Sequence, residues 1–274
     1  MTDFHMHTTF CDGREAPEVM ARAAFEKGMT AIGFSGHSFL EFDPSWCMSR
    51  EGTLEYVSRV LRLRREYAGK MEIYLGVERD FLTTDTFDTF DYVIGSVHCL
   101  KKDGEYVSVD LSEESLIDSV NRLYGGDLYA MAEDYFAAVA EMAETTMPDV
   151  IGHFDLIAKF NSGGHLFDER HPRYVAAATR ALERAIQCCD VFELNSGAIF
   201  RRCRHRPYPS MELLRQIAAM GGQIMLNSDA HTPEAIGFYR GEMAAMALQA
   251  GFTHEVVVTA GGIRPVPLLI QNEA

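Results

Sequence analysis

The hydrophobic positions of this chain fall into seven short apolar runs, separated by longer amphipathic segments. The runs cover residues 2–7, 31–37, 73–78, 92–98, 150–153, 191–195 and 224–231. Each run is predicted to be a strand buried on both faces, which is typical of a parallel sheet covered by helices. Each also carries a histidine or an acid at or near its end. In a closed barrel the carboxyl ends of the strands meet at one mouth, so these side chains are predicted to share a pocket.

The segments between the runs have helical periodicity, and helices are predicted near residues 16–28, 54–64, 128–142, 174–189 and 211–218. This alternation of strand and helix predicts parallel βαβ units. The more polar stretch 100–127 is interpreted as a loop insertion with its own short helix, and 255–259 is a candidate for one more strand. A chain of 274 residues has the usual size of one α/β barrel. We therefore predict a single α/β domain over residues 1–274.

The charge of the chain restricts its partners. Asp and Glu total 40 against 25 Lys and Arg, which gives a formal net charge of −15. A field of this sign repels polyanions, so nucleic acid is not an expected partner. One short run, residues 201–206, is strongly basic against this background. The oligomeric state cannot be predicted from the sequence.

The location of the protein is predicted from three features. No run of about 18 uncharged apolar residues is present, so no membrane span is expected. The first strand begins too near the amino terminus to leave space for a signal peptide. The six cysteines show no C-x-x-C spacing, which suits a reducing compartment and argues against a thiolate zinc site. We expect a cytoplasmic protein.

The histidines and acids at the strand ends have the chemistry of metal ligands. Side chains alternate faces along a strand, so His5 and His7 point the same way, as do Asp229 and His231. Asp12 lies in the turn after the first strand. Nine candidate ligands result: His5, His7, Asp12, His37, Glu78, His98, His153, Asp229 and His231. Imidazole and carboxylate ligands without thiolates suit zinc, manganese or iron(II). Nine ligands are too many for one ion, and clusters of ions about 3.5–4 Å apart catalyse phosphoryl or hydrolytic displacement.

The motifs around these residues resemble those of the polymerase-and-histidinol-phosphatase (PHP) family, metal-dependent phosphoesterases with a distorted (β/α)7 barrel. The matching motifs are His5-x-His7 with Asp12-Gly13, followed in the family's order by residues 33–37, 76–78, 91–98, 152–155 and 228–231. Residues 90–98, 153–160 and 193–209 resemble the histidinol-phosphatase type of this family. The resemblance covers nearly the whole chain.

The resemblance implies a trinuclear metal site. His5, His7, Glu78 and Asp229 would hold one ion, while Glu78, His98 and His153 would hold a second. Asp12, His37 and His231 would hold the third. Glu193 is interpreted as a structural residue or as an outer partner that holds a ligand histidine by its far nitrogen.

The resemblance also implies the reaction, in which L-histidinol phosphate is hydrolysed to L-histidinol and phosphate in histidine biosynthesis. A metal-activated hydroxide would attack phosphorus. Lys159 and Arg201 would bind the substrate phosphate, and Arg204 is the alternative because the basic run leaves open which arginine faces the pocket. The proton donor to the leaving alkoxide is not identified; a metal-bound water, Asp229 and His205 are the candidates.

Two other functions are considered. A PHP phosphoesterase could act on another small phosphate or on phosphotyrosine, and turnover of histidinol phosphate relative to generic phosphates separates these cases. A PHP segment could also bind metal without catalysis. The complete set of nine ligands favours an enzyme.

Overall fold

Seven parallel strands form the central sheet, and each coincides with one of the predicted hydrophobic runs. The computed structural model describes residues 1–86 and 88–269. In this part of the chain the strands are β1 (Thr2–Asp3), β2 (Ala31–Phe34), β3 (Glu72–Asp80), β4 (Tyr92–Ser96), β5 (Cys99–Lys102), β6 (Glu105–Ser108), β7 (Val150–Ile151), β8 (Val191–Asn195), β9 (Gln223–Asn227), β10 (His254–Thr259) and β11 (Gly262–Pro267). The sheet order is β1-β2-β3-β4-β7-β8-β9, and all its neighbours are parallel.

The first and last strands of this sheet meet just beyond their carboxyl ends. Met6 and Ala230 form an isolated parallel bridge there. The His7 amide donates a hydrogen bond to the Ala230 carbonyl oxygen at 2.9 Å, and the Ala230 amide donates to the His5 carbonyl oxygen at 3.0 Å. The sheet thus forms a nearly closed barrel, which confirms the predicted (β/α)7 fold.

Helices connect the strands on the outside of the barrel, and all five predicted helices are present. The described helices are α1 (Pro17–Glu26), α2 (Arg50–Glu66), α3 (Glu113–Tyr124), α4 (Leu128–Thr146), α5 (Pro172–Ala185), α6 (Gly197–Phe200), α7 (Met211–Ala219) and α8 (Arg240–Ala250). Short 3₁₀ helices cover Leu156–Ala158, Ser162–Gly164 and Pro233–Ala235. The helix starts carry the expected signals: Ser49 caps α2, Asp127 caps α4, and proline opens α1 and α5. Helix α8 was not predicted, because alanines occupy many of its positions and give its pattern little contrast.

Two hairpins lie outside the barrel sheet. The predicted insertion at 100–127 contains its short helix, α3, but also the antiparallel β5–β6 pair, which was not predicted. Asp103 and Gly104 both have positive φ values, 50° and 87°, as the turn of such a hairpin requires. The candidate strand 255–259 is β10, which pairs antiparallel with β11. The barrel sheet therefore keeps seven strands.

Tyr92 lies in the barrel interior below the strand ends. Tyr92 on β4 is 1% exposed, and its hydroxyl donates to the Phe4 carbonyl oxygen at 2.5 Å. Its ring crosses β3 and β2, where glycines leave space for it. A Cβ atom on Gly76 would lie 2.2 Å from Tyr92 Cζ, and one on Gly33 would lie 2.1 Å from Tyr92 Oη. Glycine is required at both positions, because the Tyr92 side chain lies too close to the backbone to leave space for a Cβ atom.

Two predictions concern the absence of a membrane span and the extent of the domain. None of the helices in the described ranges has both the length and the apolar character needed to cross a bilayer. The predicted domain, residues 1–274, includes residue 87 and residues 270–274, which lie outside the described residues.

Candidate metal centre

All nine predicted ligands lie at the carboxyl end of the barrel. His5 and His7 follow β1, and Asp12 lies in the loop before α1. The others come from later strands: His37 follows β2, Glu78 is in β3, His98 follows β4, His153 follows β7, and Asp229 and His231 follow β9. Eight of these side chains are at most 21% exposed, and Asp12 is 35% exposed. Residues from 5 to 231 in the chain therefore converge on one buried cluster.

Glu78 occupies the middle of this cluster. Its Oε2 atom lies 2.9 Å from His37 Nδ1, 3.1 Å from His5 Nε2 and 3.5 Å from His7 Nε2. Its Oε1 atom lies 2.9 Å from His153 Nε2 and 3.3 Å from His98 Nε2. Each carboxylate oxygen thus faces a different set of imidazoles, as a bridging carboxylate would.

Asp12 and Asp229 supply the remaining carboxylates, on the side where the barrel closes. Asp12 Oδ2 lies 3.0 Å from His231 Nε2, and its Oδ1 lies 3.5 Å from His7 Nδ1. Asp229 Oδ1 lies 3.3 Å from His7 Nε2 and 3.7 Å from His5 Nε2. Asp229 has a φ of 53°, a left-handed conformation that aspartate tolerates better than most residues.

Three groups of these side chains could each hold a metal ion. They are His7, Asp12, His37 and His231; His5, His7 and Asp229; and His37, Glu78 and His98. Within each group the ligand atoms lie within 4.8 Å of one another. His153 is outside these groups but contacts Glu78 Oε1.

Unpaired polar atoms in the cluster fit bound cations. Within the described residues, His5 Nε2, His7 Nε2, His37 Nδ1 and Glu78 Oε2 are buried and lie close to one another, but none of them makes a hydrogen bond of acceptable geometry. A buried polar atom left unpaired is costly, and most have partners in native proteins. Divalent ions would satisfy these atoms, and a donor set of imidazoles and carboxylates suits zinc, manganese or iron.

Burial and neighbouring charges shift the pKa values of the cluster. Burial is the main cause that lowers the pKa of His7 to about 3, and two neighbouring imidazoles act in the same direction. Burial would raise the pKa of Glu78, but the imidazoles around it, His5 first, hold it well below its usual value. Burial opposes ionisation of Asp229 too, and the Arg201 guanidinium holds that pKa low. Burial would lower the pKa of His5 and His98, but the carboxylates around them, Glu193 for His5 and Glu78 for His98, raise both well above the usual value. Imidazoles bind metal in their neutral form, so metal binding at these two positions would release protons.

Outer partners orient two of the histidines. Glu193 Oε1 lies 2.5 Å from His5 Nδ1, so Glu193 contacts the far nitrogen of a predicted ligand histidine, which fits one of its two interpretations. Asp80 Oδ2 lies 3.1 Å from His98 Nδ1, and this contact was not predicted. The sequence could have indicated Asp80, because it follows Glu78 by two residues in β3 and its side chain therefore points to the same face of the strand.

A cavity of about 320 Å³ opens beside the cluster. Lys159 and Arg201 line it. Lys159 Nζ donates to Asp110 Oδ2 at 3.1 Å, and Arg201 Nη2 donates to Asp229 Oδ2 at 2.8 Å. Both positively charged side chains therefore line the same cavity as predicted metal ligands.

Arg204 and His205, two other predicted site residues, lie elsewhere. Both line a separate cavity. Arg204 is 2% exposed and donates to Asp155 Oδ2 at 2.9 Å, while His205 is exposed. Of the three basic residues predicted to bind phosphate, the structure brings Lys159 and Arg201 to the cluster and gives Arg204 a buried ion pair instead.

The cavity has further lining residues that sequence reasoning missed. Asp43, Ser45 and Trp46 come from the loop between β2 and α2, and Asp110 and Leu111 come from the segment between β6 and α3. No motif marked them, since both segments are loops whose path depends on tertiary packing.

Comparison with known proteins agrees with this architecture. Residues 3–197 match the family model described as PHP domain. A curated relative from Deinococcus radiodurans, named "Probable histidinol-phosphatase", is 32% identical over 254 residues, which are 87% of this chain and 89% of the relative.

Solved structures share the fold. A structure from Listeria monocytogenes superposes with a TM-score of 0.74 at 21% identity, over 88% of this chain and 99% of that chain. Histidinol phosphate phosphatase from Lactococcus lactis, in complex with zinc, L-histidinol and phosphate, has a TM-score of 0.67 at 19% identity, over 96% and 98% of the two chains. With a family match that covers most of its length and a barrel that gathers the matching motifs at one mouth, the chain belongs to the PHP domain family.

Proposed function

We propose that this protein is a metal-dependent phosphomonoesterase that hydrolyses L-histidinol phosphate to L-histidinol and phosphate. The observation that carries the proposal is the convergence of nine imidazole and carboxylate side chains beside a cavity that also presents Lys159 and Arg201. Clustered divalent cations next to fixed positive side chains are suited to phosphate esters. The substrate is small, because a cavity of about 320 Å³ is at the lower end of the usual range for small-molecule sites.

The names of the relatives support this substrate. The Deinococcus protein, 32% identical, is named "Probable histidinol-phosphatase". The Lactococcus structure, which shares the fold, contains zinc together with L-histidinol and phosphate. A soluble amino alcohol of this kind is produced in histidine biosynthesis, which is the pathway we propose.

We propose two to three divalent ions, zinc, manganese or iron, as the cofactors. His5, His7, Glu78 and Asp229 would hold one ion, with Glu78 bridging to a second held by His98 and His153. Asp12, His37 and His231 would hold a third. The unpaired buried atoms of the cluster support this assignment.

When bound, such ions supply Lewis acidity, which screens the phosphoryl oxygens and acidifies a water molecule. The protein's own cations do the rest of the phosphate binding. Arg201 Nη2 donates to Asp229 and has a second N–H left to donate, while Lys159 is held by Asp110 with one N–H left to donate. Most of the surrounding imidazoles are buried, and the low local dielectric constant strengthens these interactions.

Phosphate release from a panel of monoesters tests the function. Chelator-stripped protein receives zinc, manganese or iron(II), and turnover of L-histidinol phosphate is compared with that of sugar phosphates, nucleotides and phosphotyrosine. We expect activity only with metal and the highest kcat/KM with L-histidinol phosphate. Higher turnover of another ester would reassign the substrate. The Asp229→Ala variant should lose metal and activity together, and a variant that retains both would refute the enzymatic proposal.

We further propose that the chain is one domain located in the cytoplasm. Val256 and Val258 of the β10–β11 hairpin are buried in the same apolar cluster as barrel residues, which supports one domain. The six cysteines are all free thiols, which supports a reducing compartment.

A further inference from the structure

The cavity beside the cluster of predicted metal ligands has a second side, which is lined by an acid and an aromatic ring. Asp43 and Trp46 line it, both from the loop between β2 and α2. Trp46 is the single tryptophan of the chain. Trp46 contacts His37 and His98 of the cluster, whereas Arg201 contacts Asp229 and His231. The two sides of the cavity therefore face different parts of the cluster.

Contacts within the protein hold Trp46 in place. Its ring centroid lies 4.7 Å from that of His37 and 5.3 Å from that of His98, both with edge-on geometry. Its indole Nε1 donates a hydrogen bond to Asp43 Oδ2 at 3.0 Å. The side chain remains partly exposed. An aromatic surface held this way loses little entropy when a ligand binds to it.

Asp43 carries a negative charge that no protein cation neutralises. Its carboxylate accepts hydrogen bonds from Ser45 Oγ at 2.7 Å and from Trp46 Nε1, and both donors are neutral. Within residues 1–86 and 88–269, no lysine, arginine or histidine forms an ion pair with it. The other lining aspartates differ, because Asp110 is paired with Lys159, Asp229 with Arg201 and Asp12 with His231.

An unneutralised carboxylate beside an indole is suited to a cation. The carboxylate accepts a charge-assisted hydrogen bond from an ammonium group, and tryptophan is the best aromatic partner for a cation. Phosphate itself would be repelled by Asp43, so this side of the cavity does not fit the phosphoryl group. It fits the alcohol part of the ester.

We propose that Asp43 and Trp46 form a recognition site for a cationic leaving group and determine which phosphate esters are hydrolysed. The inference rests on the proposed function, because L-histidinol combines a protonated amine with a flat imidazole ring. Asp43 binds the ammonium group, and the Trp46 ring contacts the imidazole. Esters of uncharged alcohols bind their phosphate equally well but lack both contacts.

The kinetic test compares two esters in matched variants. We expect Asp43→Asn to lower kcat/KM for L-histidinol phosphate by roughly 10- to 100-fold and for glycerol phosphate by less than about 2-fold. Asp43→Glu, which keeps the charge, should recover part of the loss. The matched control is Glu41→Gln, which removes one negative charge from the same loop at an exposed position outside the cavity lining. It should leave both esters unchanged.

A binding test needs no turnover. Excitation at the red edge of the absorption band reports on Trp46 alone, because the chain has no other tryptophan. L-Histidinol should change the emission in a saturable manner, while glycerol should not. In Asp43→Asn the apparent Kd for L-histidinol should rise by roughly 10-fold or more.

The outcomes separate this inference from the proposed function. If Asp43→Asn lowers kcat/KM equally for both esters, Asp43 has a structural role. If it lowers kcat/KM for neither, Asp43 takes no part in recognition. Either result overturns the inference but leaves the proposed hydrolysis of histidinol phosphate intact. If the wild type hydrolyses no ester, the proposed function fails, and the fluorescence titration alone decides the inference. Emission unchanged by saturating L-histidinol would overturn it.

Discussion

Glu193 Oε1 lies 2.5 Å from His5 Nδ1, and neither side chain is exposed to solvent. The contact holds the imidazole from one side while its other nitrogen, Nε2, faces Glu78 Oε2 at 3.1 Å. Glu193 also accepts hydrogen bonds from the His153 amide and from the side chains of Asn195 and Asn227. This one buried carboxylate therefore orients two of the proposed ligand positions. Such outer partners raise the basicity of a metal-binding histidine.

Glu193→Gln should weaken metal binding without unfolding the protein. Glutamine keeps one carbonyl oxygen as an acceptor but removes the negative charge that faces His5. We expect roughly a 10- to 100-fold loss of metal affinity, measured by competition with a chelator of known affinity. The matched control is Glu183→Gln on α5, an exposed position away from the cluster. Unchanged affinity in Glu193→Gln would show that His5 is held well enough by other contacts.

Arg201 and its neighbour Arg202 provide a paired test of phosphate binding. Arg201 lines the cavity, whereas Arg202 is exposed and outside the lining. Arg201→Ala should lower kcat/KM for phosphate monoesters by roughly 10- to 100-fold, because a charge-assisted hydrogen bond to the substrate is lost. Inhibition by inorganic phosphate should weaken in parallel. Arg202→Ala should leave both parameters within about 2-fold, and equal effects of the two substitutions would exclude a specific role for Arg201.

The packing of Tyr92 predicts a large difference between two glycine substitutions. Gly76→Ala places a methyl group 2.2 Å from Tyr92 Cζ, so we expect the free energy of unfolding to fall by about 1–3 kcal/mol. Gly241→Ala adds a methyl group near the start of α8 with no neighbouring atom within 4 Å. That variant should be as stable as the wild type or more stable by up to about 1 kcal/mol. Urea unfolding of metal-loaded protein measures both, and equal stabilities would contradict the close packing.

The Asp110–Lys159 pair predicts a dependence of stability on pH. Burial alone would raise the pKa of Asp110, but the Lys159 ammonium and then His98 lower it to about 2. In the unfolded chain the carboxyl has its ordinary pKa of 3.8. Between pH 2 and pH 3.8 the unfolded state binds more protons than the folded state. The contribution of the pair to the free energy of unfolding is therefore present above pH 3.8 and is lost as the pH falls towards 2.

Lys159→Met removes the main interaction that lowers this pKa. Its free energy of unfolding should therefore fall less steeply between pH 5 and pH 3 than that of the wild type. Urea titrations of metal-free protein at the two pH values measure the slopes. A slope in Lys159→Met as steep as in the wild type would show that the ion pair does not control Asp110.

The strands and the proposed ligands were predictable because both have a strong local signature. A run such as Ile73–Glu78 combines buried-strand residues with an acid at its end, and parallel strands bring such ends together without further information. Asp80 was also within reach, since it shares a strand face with Glu78. The nine positions converge as predicted; which of them bind metal remains a prediction.

What the sequence could not resolve depends on loop paths. Arg201 and Arg204 are chemically identical and three residues apart, yet only Arg201 reaches the cluster. The reason is the turn after α6: Arg202 has a φ of 58°, and the amides of Cys203 and Arg204 both donate to the Ala198 carbonyl oxygen. This reversal sends Arg204 towards Asp155. Trp46 and Asp43 were missed for the same kind of reason, because an irregular loop carries them to the cavity.

The bridge between Met6 and Ala230 has a consequence for how the protein is made. It joins two segments that are more than two hundred residues apart in the sequence. During synthesis, His5 and His7 can therefore contact Asp229 and His231 only after the latter have left the ribosome. Capture of the proposed ions at that seam would be a late event, because a chain whose synthesis stops before Asp229 carries seven of the nine proposed ligands and lacks the two that complete the centre.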